Sequence, residues 1–460
     1  MQNFIKSKLA MLIIAVFLYG QSHAGNNCWK PVEEVSLSGL GKMNRNTIPS
    51  TARFYELNMQ QLQSLLQQAP NRGQQSNLII DFPDAYGKMN AFRVYASPIM
   101  PAVLSSKYPM IKTYCAQGID DPTATMRFSV TQFGLHCMTL TGTNPTNYID
   151  TYTKDLNYYI VYDKSSLANN VRNFECLTDE DAELPSMRNS VAGINNNTDD
   201  QLLRTYRLAL TCTAEYGNIF ATTPGNEKAD IMAQMTITMN RVNGVYERDL
   251  AITMEFVPNN DTLIFYGNTS QDPWSNEWNT KTAQVCDQYI GVNNYDIGHN
   301  FNTTGGGNAG CIACVCLSSS QSGTHKGRGM TGSANPTGDP FDIDYVAHEM
   351  GHQYGGYHIM NTCSRSGSGN TEVEPCSGSS IMGYAGICSV NIQAHSDDDF
   401  NYVNVRDISA NIQNGSSTCA VTTALTNNPP TADAGADFTI PKGTAFVLEG
   451  TATDADGMAS

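Results

Sequence analysis

The chain has 460 residues, 13 cysteines and a formal net charge of −16 at pH 7. That length allows two or three domains with full cores, and the acidic balance excludes nucleic acid as a partner, because phosphate binding needs a basic surface. Residues 1–24 read as a secretory signal. Lys6 and Lys8 supply a basic start, residues 9–19 an apolar stretch too short for a bilayer, and Ser22-His23-Ala24 a small-residue cleavage site. No later stretch is apolar for long enough to span a membrane. The chain is therefore expected to be secreted, where cysteines read as disulfides before metal ligands.

Residues 25–199 form the first region after the signal and contain no ligand cluster. Asn58 is placed to cap a short helix carrying Met59, Leu62, Leu65, Leu66 and Ala69 on one face. Extended segments at 78–82, 91–96, 126–130, 134–140 and 158–162 follow, several alternating with period two. The region is expected to be compact and β-rich. Residues 177–200 turn acidic and Asn-rich, with Pro185 and Gly193, and read as an exposed linker where a processing protease would cut.

From residue 200 the pattern becomes α/β. A strand is predicted over 204–212, a helix over 227–243 with Ile231, Met232, Met235 and Met239 as its apolar stripe, and a strand over 250–257. A helix over 282–290 and an extended piece over 295–301 come next. Cys311-Ile312-Ala313-Cys314-Val315-Cys316 reads as a disulfide-stapled strand, and Asp342 as a helix cap. Nothing of EF-hand spacing supports a structural Ca²⁺ ion at Asp342 and Asp344.

The chemistry concentrates at His348-Glu349-Met350-Gly351-His352-Gln353-Tyr354-Gly355-Gly356-Tyr357-His358. On a helix, His348 and His352 lie four apart on one face and present two imidazoles to one ion. Gly355 can take positive φ, end the helix and return the chain so that His358 supplies a third ligand. Three ligands and an open position are the arrangement of a catalytic zinc ion. Glu349, beside the first ligand, is placed as the general base for a zinc-activated water. His136, His299, His325 and His395 each stand alone and are taken as surface or core residues. Beyond the helix, Cys363 and Cys376 are candidates to staple a polar loop, and Ser396 with three following aspartates reads as a helix start.

At these residues the chain resembles the metzincin zinc peptidases, whose extended His-Glu-x-x-His signature it carries. Ser380-Ile381-Met382-Gly383-Tyr384 is similar to the clan's methionine turn, with Met382 under the metal and Gly383 and Gly386 shaping the reversal. Residues 205–417 resemble the reprolysin-like (adamalysin-type) members, especially bacterial exported ones. Supporting residues are Asp296-Ile297-Gly298-His299, Gly305-Gly306-Gly307 and Gly338-Asp339-Pro340-Phe341-Asp342-Ile343-Asp344.

The resemblance implies a metallopeptidase domain over 200–426 with a twisted mixed sheet and a zinc helix. It implies an edge strand at 308–316 running antiparallel to bound peptide, protein or peptide substrates, and an inhibitory prodomain over 25–199. Latency through a thiolate would use one of Cys28, Cys115, Cys137 or Cys176, with disulfide pairing of these residues as the alternative. The turn also fits relatives whose tyrosine ligates zinc, so Tyr384 is a candidate fifth ligand or oxyanion donor.

Residues 427–460 look like the first strands of an immunoglobulin-like, PKD-type sandwich that so short a stretch cannot close. The expectation is a truncated module, with surface binding as the role such modules have. The sequence thus points to a secreted zinc endopeptidase. Two rivals are a catalytically silent zinc-containing adhesion protein and a zinc amidase acting on a non-protein amide.

Overall fold

The computed structural model describes residues 26–45, 48–168, 174–180, 200–363, 371–426, 428 and 430–453. The predicted signal and most of the predicted linker lie outside these residues.

The N-terminal region is one antiparallel sheet of nine strands: β1 (Trp29–Val32), β2 (Arg53–Leu57), β3 (Ile79–Pro83), β4 (Met89–Ala96), β5 (Lys112–Gly118), β6 (Thr125–Thr131), β7 (Gly134–Leu140), β8 (Asn147–Thr151) and β9 (Tyr158–Asp163). Their spatial order is β1-β2-β9-β8-β7-β6-β5-β4-β3. The sheet curls until its ends meet: Asn26 bridges to Ile80, and the Trp29 indole N–H donates to the Asp81 carbonyl at 2.9 Å. Helix α1 (Met59–Leu66) starts where the Asn58 side chain accepts from Gln61 N, and α2 (Ala102–Lys107) links β4 to β5.

Alternation along these strands feeds two cores. Leu135, Cys137, Ile149, Tyr159 and Val161 face the inside of the curl with Trp29, Phe82 and Phe128. Their neighbours Met138, Leu140, Tyr148, Ile160 and Tyr162 face outward, into a larger core shared with the second half of the chain. Both faces are buried, so both are apolar.

The second half is built on β11 (Leu202–Cys212), which runs parallel to β12 (Ile252–Phe256) on one side and β13 (Ile297–Asn302) on the other. Then come β15 (Gly329–Gly332), parallel to β13, and β14 (Gly306–Asn308), antiparallel to β15. β10 (Glu175–Cys176), from the end of the N-terminal region, adds to β14, and β16 (Val421–Ala424) pairs with β11. The mixed α/β character expected from the sequence is present, with α3 (Ala214–Phe220), α4 (Glu227–Leu250), α5 (Trp278–Tyr289), α6 (His348–Tyr354) and α7 (Tyr402–Asn414).

Helix α4 separates the two regions, packing on β6 and β7 in one direction and on β12 and the segment before α6 in the other. Its predicted stripe gives way to burial all round, which is why it also carries buried Asn240, Arg241, Asn243 and Glu247. Each of these four side chains makes hydrogen bonds; Asn243, for example, exchanges two with the Met254 backbone. The helix runs seven residues past its predicted end at 243, because this polar turn is covered rather than solvated.

Several expectations need correction. The predicted edge strand over 308–316 is a strand only at Gly306–Asn308; residues 309–316 form a loop with positive φ at Ala313 and Cys316. That loop is held by Cys311–Cys314 and Cys316–Cys419, and by the Ala313 and Cys314 amides donating to the carbonyls of His352 and Gln353. Cys363 pairs with Cys388, not with Cys376. Cys28, Cys115, Cys137 and Cys176 are all free thiols; Cys28 and Cys137 pack as small apolar side chains in the interior of the curl. Asp342 does not cap a helix. It opens a π-helical turn, Asp342–Ala347, and accepts from Thr238 Oγ1 at 2.7 Å and Arg241 Nη1 at 3.1 Å. Asn401, rather than Ser396, caps α7, accepting from Val403 N. At the C-terminus, Thr431–Asp433 and Thr451–Thr453 form an exposed two-stranded ribbon.

Candidate metal centre

Helix α6 carries His348, Glu349 and His352, all buried. It stops at Gly355, whose φ of 112° lies where a side chain would be strained, and the Gly356 N–H caps back onto the Gly351 carbonyl at 2.8 Å. The reversed chain delivers His358 to the same point. His358 Nε2 lies 3.2 Å from His348 Nε2 and 3.1 Å from His352 Nε2.

The outer nitrogens decide what those inner ones are. His348 Nδ1 donates to the Ile381 carbonyl at 2.7 Å, and His352 Nδ1 to the Gly356 carbonyl at 2.7 Å. His358 Nδ1 faces Glu180 Oε1 at 3.2 Å. With each outer nitrogen engaged as a donor, the three inner nitrogens turn lone pairs toward one another. Bare lone pairs at this separation repel; a cation among them removes the repulsion. Tetrahedral zinc with ligands near 2.0–2.3 Å sets edges of about 3.3 Å between nitrogens and about 3.6 Å between nitrogen and sulfur. The fourth donor matches: Cys176 Sγ lies 3.6 Å from His352 Nε2, and the four donor atoms fall within 4.8 Å of one another. Burial above all, with Glu349 adding to it, pushes the Cys176 thiol well above its ordinary pKa, so a thiolate there needs a cation to hold it.

The floor is Met382, fully buried beneath the helix; a Cβ on Gly351 would come within 2.6 Å of its sulfur, so a side chain there would have to displace the thioether. The Tyr384 ring stands edge-on to His358 with centroids 4.7 Å apart. Burial, with the charges of Cys176 and Glu349, holds its phenol far above the usual range. Glu349 is buried under β14, where a Cβ on Gly307 would meet its carboxylate at 2.3 Å. Burial pushes its carboxyl up to about 8, against contacts with Cys176 and Thr178 that lower it.

Residues 174–180 lie along the cleft. Phe174 stacks on Tyr345 with centroids 3.8 Å apart, and Glu175 and Cys176 pair in parallel with Gly306 and Gly307. The Leu177 N–H donates to the Gly307 carbonyl, Thr178 Oγ1 donates to Glu349 Oε2 at 3.0 Å, and Glu180 Oε1 accepts from His358 N at 2.7 Å. A Cβ on Gly306 would press on the Glu175 carbonyl at 2.8 Å, so this glycine permits the pairing.

The structure thus brings together every residue that the sequence singled out here: His348, Glu349, His352, Gly355, His358, Met382 and Tyr384. Sequence reasoning did not choose Cys176 among four cysteines and missed Thr178 and Glu180. The available signal was position, since Cys176 alone stands immediately before the acidic linker. His299 is no ligand but a brace: its Nδ1 bonds Gln353 Oε1 and its Nε2 bonds Thr331 Oγ1, both at 2.8 Å.

The three histidines, gathered by a glycine-terminated helix above Met382, form a candidate metal-holding group. Residues 203–413 match the family model of the M12B reprolysin-like metallopeptidases, which supports a zinc-dependent peptidase acting on proteins or peptides. No curated protein matches the chain closely enough to count as a relative. Among the described residues no helix is long and apolar enough to cross a membrane.

Proposed function

We propose that the protein is a secreted zinc endopeptidase made as a latent precursor, with His348, His352 and His358 holding the metal and Glu349 as general base. The observation that carries this reading is the convergence of three acceptor nitrogens beside a buried carboxylate. Zinc, when bound, polarises the scissile carbonyl and makes a water molecule acidic near neutral pH. Glu349 takes that water's proton and passes it to the leaving amine. Once Glu175 and Cys176 leave it, the edge of β14 that they occupy would pair with substrate backbone without reading side chains. Tyr384, whose ring packs against His358, would donate to the developing oxyanion or serve as a fifth ligand.

Residues 25–199 act as the prodomain, and Cys176 is the latency ligand. Its segment runs parallel to β14, opposite to the direction expected of substrate, so it fills the cleft without offering a bond in productive register. One observation favours the catalytically silent rival: in the uncut chain a fourth side chain does close the metal site. Whether that closure is permanent separates the two readings.

The test is Cys176→Ala in the full chain, assayed on a quenched peptide library against uncut and processed wild type. The variant should retain zinc and cleave without processing, while uncut wild type stays silent and 1,10-phenanthroline abolishes all turnover. A zinc-loaded variant and processed wild type that both remain inert would leave the silent reading standing.

A further inference from the structure

A second cluster of ligand-type side chains lies away from the histidine centre. Asp339, Asp344 and His395 each present a donor atom within 4.8 Å of the others, and all three are buried. Asp398 adjoins them. Among the described residues, an ammonium from the other half of the chain stands between them: Lys164 Nζ is 3.1 Å from Asp339 Oδ1 and 3.7 Å from Asp344 Oδ1, and it hydrogen-bonds Asp398 Oδ1. Tyr148 donates to Asp339 and, at 3.0 Å, to Asp398; His395 Nε2 lies 3.1 Å from the Ala168 carbonyl and its Nδ1 3.3 Å from Asp344 Oδ2.

Asp339, 1 % exposed, keeps its Oδ2 without a hydrogen bond among the described residues. Burial, and then the neighbouring Asp398 and Asp344, push its carboxyl up to about 7 even against the pull of Lys164. Lys164, Tyr148 and Ala168 all belong to the N-terminal region. If that region leaves, as the latent-precursor reading holds, the carboxylates lose every one of these partners at once.

We propose that Asp339, Asp344, Asp398 and His395 form a second cation site, which the Lys164 ammonium fills in the uncut chain and a divalent transition-metal ion of the Mn²⁺ or Zn²⁺ class fills when Lys164 is withdrawn. Carboxylate oxygens joined by one imidazole nitrogen suit such an ion better than Ca²⁺ or Mg²⁺, which take oxygen donors. The ion would thus take over the structural task of the departing lysine and oppose rebinding of the N-terminal region.

Lys164→Gln in the full chain tests the site without any processing step. Mn²⁺ binding is followed by electron paramagnetic resonance, with zinc measured in the same samples to report the histidine centre separately. The variant should take up one more Mn²⁺ per chain than wild type, and Lys164→Gln with Asp339→Asn should lose it again while zinc content holds. Recovery of folded Lys164→Gln only when Mn²⁺ or Zn²⁺ is supplied would support the site equally. A folded variant with no added equivalent, or one that stays unfolded with and without either cation, overturns the proposal. Neither outcome bears on the peptidase reading, which the zinc content and peptide turnover judge.

Discussion

The two halves of the molecule hold themselves together differently from the way they hold each other. The curled N-terminal sheet has an interior of Trp29, Phe82, Phe128 and Tyr159, and the parallel sheet of the second half is as apolar around Tyr206, Leu208 and Leu210. Between them run ion pairs as well as apolar contacts: buried Arg127 and exposed Arg72 with Glu247, Arg241 with Asp150 while it also holds Asp342 of its own half, and Lys164 with its carboxylates. An apolar face exposed by separation would invite aggregation, whereas charges exposed by separation are rehydrated and recover their solvation. Separation would rehydrate these charges but would also bare the apolar faces that the halves share, Met138, Leu140, Tyr148 and Ile160 among them.

That comparison can be broken or sharpened at several points. The largest effect belongs to the chemical centre. Glu349→Gln in processed protein should keep its zinc while casein hydrolysis falls by about 10²–10⁴; turnover comparable to wild type would remove Glu349 from the mechanism. Next is the junction. Arg241→Met leaves Asp150 and Asp342 buried without their shared cation, and should cost about 3–5 kcal/mol in the urea unfolding of the full chain. In processed protein freed of the N-terminal region, Asp150 is gone and the same substitution should cost visibly less. Equal losses in the two forms would mean that the junction is not held by charge.

The smallest effect is local. Gly355→Ala forces a side chain into the positive-φ turn and should cost about 1–2 kcal/mol in thermal unfolding, with a parallel loosening of zinc measured by chelator competition. Loss of stability without any change in zinc affinity would show that the turn does not position His358.

The site was readable in the sequence to an unusual degree because its parts are close along the chain. His348 and His352 share a helical face, Gly355 ends that helix, and His358 follows at once; one turn of local geometry fixes their relation. Met382 came from resemblance, and its contact with Gly351 shows that a side chain at that position would have to displace the Met382 thioether. The β-rich and α/β halves were also legible, through period-two alternation and the long apolar helix. The limits of β7 were read as they stand and those of β9 to within one residue, whereas β1, β2, β5 and β8 were not predicted, and the 309–316 loop passed for a strand because its backbone is set by contacts with His352 and Gln353 rather than by its own side chains.

By itself, then, the sequence determined the three imidazoles, the neighbouring carboxylate and the turn that gathers them, since short-range backbone geometry is encoded by residues a few positions apart. Only the tertiary structure decided which cysteine meets them, that Glu180 secures His358, and that Lys164 stands among Asp339, Asp344 and Asp398. Those groups are brought together by the docking of one folded region on another, and no local pattern of residues specifies which distant charges will meet.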